Sequence, residues 1–182
     1  MKRVLKYWLL IAIIVSGLSG LIYGVVQQEI RQGANDPQIQ MAEDAATKLS
    51  NGQSAQSVVP AEKVDIAKSL APYIIVFDAT GKPIASSAQL AGQTPTIPSS
   101  VFDSVRQSGE DRITWQPRSD VRSAIVVTRF SGSSSGFVVA GRSLREAESR
   151  IDDIGQIVLV GWGGILLVTF LAMVILLRKR AQ

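Results

Sequence analysis

The 182-residue chain contains no cysteine and no histidine. Lacking cysteine, it can form no disulfide, thiolate nucleophile or sulfur-ligated metal site. Lacking histidine, it offers no Ser-His triad, no imidazole general base, no His-ligated zinc and no phosphoacceptor histidine of a signalling kinase. Charge is absent from two long stretches as well. Tyr7 to Val26 is a run of twenty uncharged residues, about 30 Å of helix, and Ile157 to Leu177 is a second run of twenty-one. Each is long enough to cross a bilayer.

Basic residues flank both runs: Lys2, Arg3 and Lys6 precede the first, and Arg178, Lys179 and Arg180 follow the second. A cleaved signal peptide is the rival reading of the first, because MKRVLK suits an n-region and residues 16 to 20 are Gly and Ser rich. The apolar run continues through LIYGVV, past any cut at that group, and exceeds the about 7 to 15 residues of a typical h-region. An uncleaved anchor fits better. The positive-inside rule then expects basic cytoplasmic ends at 1–6 and 178–182. Transmembrane helices are expected at 7–26 and 157–177, with 27–156 extracytoplasmic, in a bacterial cell (inner) membrane.

All fifteen acidic residues fall within 27–156 beside thirteen Lys and Arg, so that segment is net minus two although the whole chain is plus four. Its basic character belongs to the ends, and no nucleic-acid partner is expected. The segment is long enough to bury its own core. After the second run only RKRAQ follows, so no catalytic or output module is expected there.

Within 27–156 the first helix is expected after Asp36, a cap, and Pro37, a first-turn residue, with Asn51-Gly52 as its stop. Ile39, Ala42, Ala46 and Leu49 form one apolar stripe, which suits a helix lying along a sheet. Gly33 to Asp36 is either a hinge or an irregularity in one long helix. A short helix is expected from Pro60 to Leu70. YIIVFD at 73–78, the turn ATGK and PIASS at 83–87 read as strand, turn, strand, and 88–100 as a loop. Val101, Phe102 and Val105, ending at Gly109, suggest another helix. Strands follow at 112–116, 122–130 and 136–143, the last two joined by the flexible SGSSS.

The closing helix begins near Leu144, with Ser143 as cap and Glu146 at the capping-box position, and runs without a breaker into the second apolar run. Leu144, Ala147, Ile151 and Ile154 repeat at three and four residues. That spacing suits a signal-transmitting coiled-coil seam, packing on the first helix, or simple docking on the chain's own domain.

The VFDATGKPIASS unit and the GFVVAGRSLREAESRI stretch together resemble the extracytoplasmic Cache or PAS-like sensor domains of bacterial transmembrane receptors, the histidine kinases and chemoreceptors of two-component signal transduction. The resemblance covers roughly residues 27 to 160. It implies an α+β fold: a five-stranded antiparallel sheet, a long N-terminal helix on one face and a ligand pocket on the other, flanked here by two transmembrane helices. Members of that family usually continue into a cytoplasmic module after the second span.

Four further patterns carry chemical meaning. GSSSG at 132–136 matches a nucleophile pattern around Ser134, but its place between two strands makes it a hairpin loop and no base is available. Gly81-Lys82 lacks the glycine spacing of a phosphate loop. The pairs Glu43-Asp44 and Asp152-Asp153 diverge on helices, so no metal site is expected. Arginines cluster on or beside the last three strands; Tyr73, Trp115, Arg122 and Arg142 are candidates to hold a small carboxylate or amino acid. Exposed cations flanking strands are the plain alternative. Strand alternation places Arg122 and Arg129 on opposite faces.

In the first apolar run Ala12, Ser16, Gly20 and Gly24 repeat every four residues as a helix-packing groove. Its partner is a second copy, the second run, or another membrane protein. Neither run carries an ionisable residue, so no transport path is expected. The resulting expectation is a non-enzymatic sensor or accessory receptor subunit without cofactor, which binds a small ligand or protein and signals through its membrane helices. A structural assembly protein with a docking platform is the alternative.

Overall fold

A computed structural model describes residues 2–33 and 36–179 of the chain. The hinge considered at Gly33 to Asp36 includes Ala34 and Asn35, which lie outside the described residues, as do Met1 and Arg180 to Gln182 of the basic ends. The fold is α+β, with two long apolar helices flanking a five-stranded antiparallel sheet in the chain order. Contacts divide it into a unit from Gln32 to Ala147 and a unit made of the two chain ends, up to Arg31 and from Glu148.

The first long helix, α1, spans Lys2–Gly33, and α2 spans Asp36–Ser50. α2 stops where the sequence requires. Gly52 adopts φ +86°, Gly52 N–H donates to the Leu49 carbonyl, and Gln53 N–H reaches back to Lys48. This is the left-handed terminus that glycine adopts without steric cost. The apolar side of α2, Ala42, Ala45, Ala46 and Leu49, is buried, with Ile39 packed beside it.

The helix expected over Pro60 to Leu70 does not form. A single turn, α3 (Ala55–Val58), forms earlier, with Ser54 Oγ accepting from Ser57 N–H at 3.3 Å. Val59 is extended at φ −86°, ψ 131° because the following Pro60 excludes the helical region. The chain then makes β1 (Val64–Asp65), which pairs in parallel with β4 (Ala88–Gln89) inside the stretch expected to be all loop.

The main sheet comprises β2 (Tyr73–Asp78), β3 (Pro83–Ser86), β5 (Glu110–Arg118), β6 (Val121–Ser131) and β7 (Ser135–Ser143), in the spatial order β3-β2-β7-β6-β5. Between β4 and β5 lies α4 (Ser99–Ser108), closed by Gly109 at φ +86°. The central strands read as almost unbroken apolar runs because both faces are covered. Ile74, Val76, Val126, Val138 and Ala140 point towards α2. Tyr73, Ile75, Phe77, Ile125, Val127 and Val139 point to the other face, where Phe102 of α4 stacks 5.0 Å from Phe77 and 4.8 Å from Phe137. Each such ring pair contributes about 0.5–1.5 kcal/mol beyond its buried area.

The last helix, α5, spans Arg145–Lys179. Ser143 Oγ caps it by accepting from Arg145 N–H at 3.3 Å. Glu146, at the capping-box position, instead accepts a hydrogen bond from Arg142 at 2.9 Å.

In the unit of the chain ends, α1 and α5 pair antiparallel. Trp8 Nε1 donates to the Leu166 carbonyl at 3.1 Å, Trp8 meets Phe170 edge-on at 5.4 Å, and Trp162 Nε1 donates to Ser16 Oγ at 2.9 Å. Both helices contain windows of mean hydropathy 2.4 and 2.5 with no part buried within the protein. They are long and apolar enough to span a membrane.

Candidate functional site

The four residues considered for ligand binding divide between the two faces of the sheet. Tyr73 and Trp115 belong to the aromatic core on the α4 face, at 1% and 5% exposure. Arg142 pairs with Ala124 across the β6–β7 ladder, so alternation places Arg122 and Arg142 on the α2 face. The two arginines are diagonal neighbours there; the two aromatics are not accessible to them. Arg142 is engaged with its own surroundings, donating to the Leu70 carbonyl at 3.2 Å and to Glu146. The Arg122 carbonyl accepts from Leu144 N–H at 2.9 Å.

Tyr73 is buried, and among the described residues neither its hydroxyl nor that of Ser123 has a hydrogen-bond partner of good geometry. Burial pushes the Tyr73 phenol upward, opposed in part by the nearby Ser123 hydroxyl. Such a phenol stays protonated and holds no charge for a ligand. Trp115 forms the floor of an open groove of about 610 Å³ between β5 and residues 90–98, where Ile97, Pro98 and Ile113 are among its walls.

A second open groove, of about 410 Å³, follows the outer edge of β3. Pro83 opens that strand, where its missing N–H is tolerated. On the far side stand Gln56, Val59, Pro60, Ala61 and Lys63. Gln56 Nε2 donates to the Ile84 carbonyl at 3.4 Å, and Lys63 Nζ donates to the Ser86 carbonyl. Neither Gln56 nor Lys63 stands out in the sequence, since nothing local shows which strand ends a sheet.

At the β2–β3 turn, Asp78 Oδ1 accepts from Thr80 Oγ1 at 2.6 Å, Thr80 N–H at 2.9 Å and Lys82 N–H at 3.0 Å. The Thr80 hydroxyl first, then the Lys82 amide, hold its carboxyl below the usual carboxylate range. These bonds serve the turn, with Gly81 at φ +86° and its missing Cβ leaving room for Phe102. Ser134 lies in the β6–β7 hairpin rather than at a strand-to-helix elbow. Among the described residues, no group of three acidic side chains is placed to hold a metal ion.

The small-residue stripe of α1 is used only in part. Ser16 receives Trp162, whereas a Cβ added at Gly20 or Gly24 would meet nothing within 4 Å. The contact face of α1 instead runs through Trp8 and Tyr23, the latter 3.3 Å from a Cβ added at Gly155. Ala12 is half-buried. Leu144 and Ile151 are buried, with Ala147 and Ile154 half-buried. No protein-family model matches the sequence, and no curated protein shows significant similarity to it.

Proposed function

We propose that the chain is a membrane-anchored sensor or accessory receptor subunit. Its Cache/PAS-like domain lies outside the cytoplasm and recognises a polypeptide partner, whose binding alters the start of α5 and thereby another membrane protein. The observation that carries this reading is the pinned strand-to-helix junction. β7 ends at Ser143, α5 begins at Arg145, and the turn between them is tied at four points. Leu144 N–H is held by the Arg122 carbonyl, Arg142 holds Glu146 and the Leu70 carbonyl, and Arg145 donates to the Lys68 carbonyl at 3.0 Å. A displacement of the sheet that broke these bonds would change the helix start, and that would be the second arrangement that signalling needs.

Two features favour a polypeptide over a small metabolite. The α4 face, where a small-molecule pocket is expected of such domains, is filled by Tyr73, Phe77, Phe102, Trp115 and Phe137. The described grooves are open surface clefts instead. A docking platform without transmission is the second reading, favoured by the open glycines Gly20 and Gly24, which leave room for a neighbouring helix.

The test uses the full chain in lipid nanodiscs with a panel of small carboxylates, amino acids and peptides. A compound at 100 times its Kd should add about 2.7 kcal/mol to stability and raise the melting temperature. Hydrogen exchange at residues 145–150 is then followed with the compounds that bind. A peptide that changes protection there supports the receptor reading; binding that leaves it unchanged favours the platform. A response confined to small carboxylates returns the search to Arg122 and Arg142.

A further inference from the structure

We infer that the free edge of β3 is a docking site for an extended, acidic segment of a separate protein, which adds to the sheet as a sixth strand. The inference rests on the reading that the domain recognises a polypeptide.

β3 is terminal in the sheet and pairs on one side only, with β2. A strand in that position presents backbone groups that template another chain, and proteins usually guard it. The opposite edge is guarded. β5 carries Glu110, Asp111, Arg112 and Arg118, contains Pro117, and loses register with β6 between Trp115 and Arg118. β3 is guarded only by its four-residue length and by Pro83 at its start; it has no charged residue, and Ile84 is 44% exposed on it.

The outward carbonyls of β3 are occupied by side chains alone. Ile84 and Ser86 lie two residues apart, the repeat of a strand, and their oxygens take Gln56 Nε2 and Lys63 Nζ. Those two donors stand where the N–H groups of an added strand would stand. Both belong to exposed residues, and the Gln56 bond is long at 3.4 Å, near the limit of a hydrogen bond. An incoming backbone can displace them and replace both bonds with regular ladder bonds. The groove beside the edge, about 410 Å³, gives the space, and four residues of strand give roughly 13 Å of edge.

Charge selects the occupant. Among the described residues lining the groove, Lys63 is the one that carries a charge. Once displaced from the Ser86 carbonyl it becomes an ammonium at the rim, best answered by a carboxylate of the added strand. A second copy of this chain fits poorly, since its own β3 edge, Pro83 to Ser86, offers no carboxylate to answer Lys63. Binding would follow the strand-addition mode, with backbone bonds supplying affinity and Ile84 and Lys63 supplying selectivity.

The absence of cysteine makes a tethering experiment direct. Thr94→Cys places the sole thiol in the groove wall, and Ser119→Cys places it at the exposed β5–β6 turn as a control. The full chain in nanodiscs is equilibrated, in cysteamine redox buffer, with a nonapeptide bearing an N-terminal cysteine and alternating valine and glutamate. A matched peptide carries lysine for glutamate. The expected result is at least tenfold more labelling at position 94 than at 119 with the acidic peptide, and a preference over the basic one that Lys63→Glu inverts. Equal labelling at both positions, or by both peptides, overturns the inference. Disulfide-linked Thr94→Cys dimers without peptide would also overturn it by placing a second copy on the edge. This readout involves neither the membrane helices nor the α5 junction. Its failure therefore leaves the receptor reading intact, while unchanged exchange at residues 145–150 with selective labelling sinks transmission alone.

Discussion

The ring of Tyr73 on β2 occupies the space that a side chain at Gly141 on β7 would need. A Cβ added at Gly141 would lie 2.4 Å from Tyr73 Cζ and 2.5 Å from its hydroxyl, and the two residues are direct cross-strand partners. The ring is 1% exposed and packed in the core, so it cannot swing aside. Gly141→Ala is therefore expected to destabilise the domain by about 1–3 kcal/mol through overpacking. Urea unfolding of the variant checks this, and an unchanged midpoint would show that the ring relocates.

The same tyrosine carries a buried hydroxyl that makes no well-formed hydrogen bond among the described residues, although the Ser123 hydroxyl lies close enough to oppose the rise of its pKa; a buried hydroxyl left unsatisfied costs about 1–3 kcal/mol. Tyr73→Phe removes the group while preserving the ring. Stability is expected to stay level or rise by about 1 kcal/mol. A clear loss would mean that the phenol has a partner, such as Ser123 through an ordered water, and Ser123→Ala should then cost a similar amount.

Asp78 gives a pH dependence whose sign is fixed. Its folded carboxyl sits below the ordinary value of 3.8, held by the Thr80 hydroxyl and the Lys82 amide. The stabilisation is present above that ordinary value and is lost as pH falls through the lower folded one. Asp78→Asn should accordingly melt below wild type at pH 7, with the gap closing under acid conditions. A gap independent of pH would assign the effect to turn geometry instead of charge.

In the helix pair, Ser16→Ala removes the acceptor of Trp162 and should weaken the α1–α5 pairing by about 0.6 kcal/mol, the usual scale of such bonds in membranes. Gly20→Ile, on the open side, should leave that pairing untouched. Reversible unfolding in mixed micelles measures the first. For the second, the oligomer size in detergent decides: a fall with pairing intact would favour the platform reading.

Much of the architecture is legible from local pattern. The two uncharged runs, the Asn51-Gly52 stop, the α2 stripe and the five main strands depend on nearest neighbours in sequence, whose periodicity and turn chemistry act over a few residues. The 60–70 segment was not legible in that way. A helix is the expectation there, but Pro60 removes Val59 from the helical region, and the short parallel pairing of Val64 with Ala88 joins residues far apart in the chain.

For the candidate sites the division is sharper. Composition by itself removed every chemistry that needs cysteine or histidine, and alternation was enough to separate Arg122 from Arg129. Only the tertiary structure decided that Tyr73 and Trp115 fill the core opposite Arg122 and Arg142, that Arg142 is spent on Glu146 and Leu70, and that β3 is an edge. Strand order and side-chain pairing across a sheet are set by packing between distant segments. A strand's own residues carry its period, and its neighbours in space give it a place in the sheet.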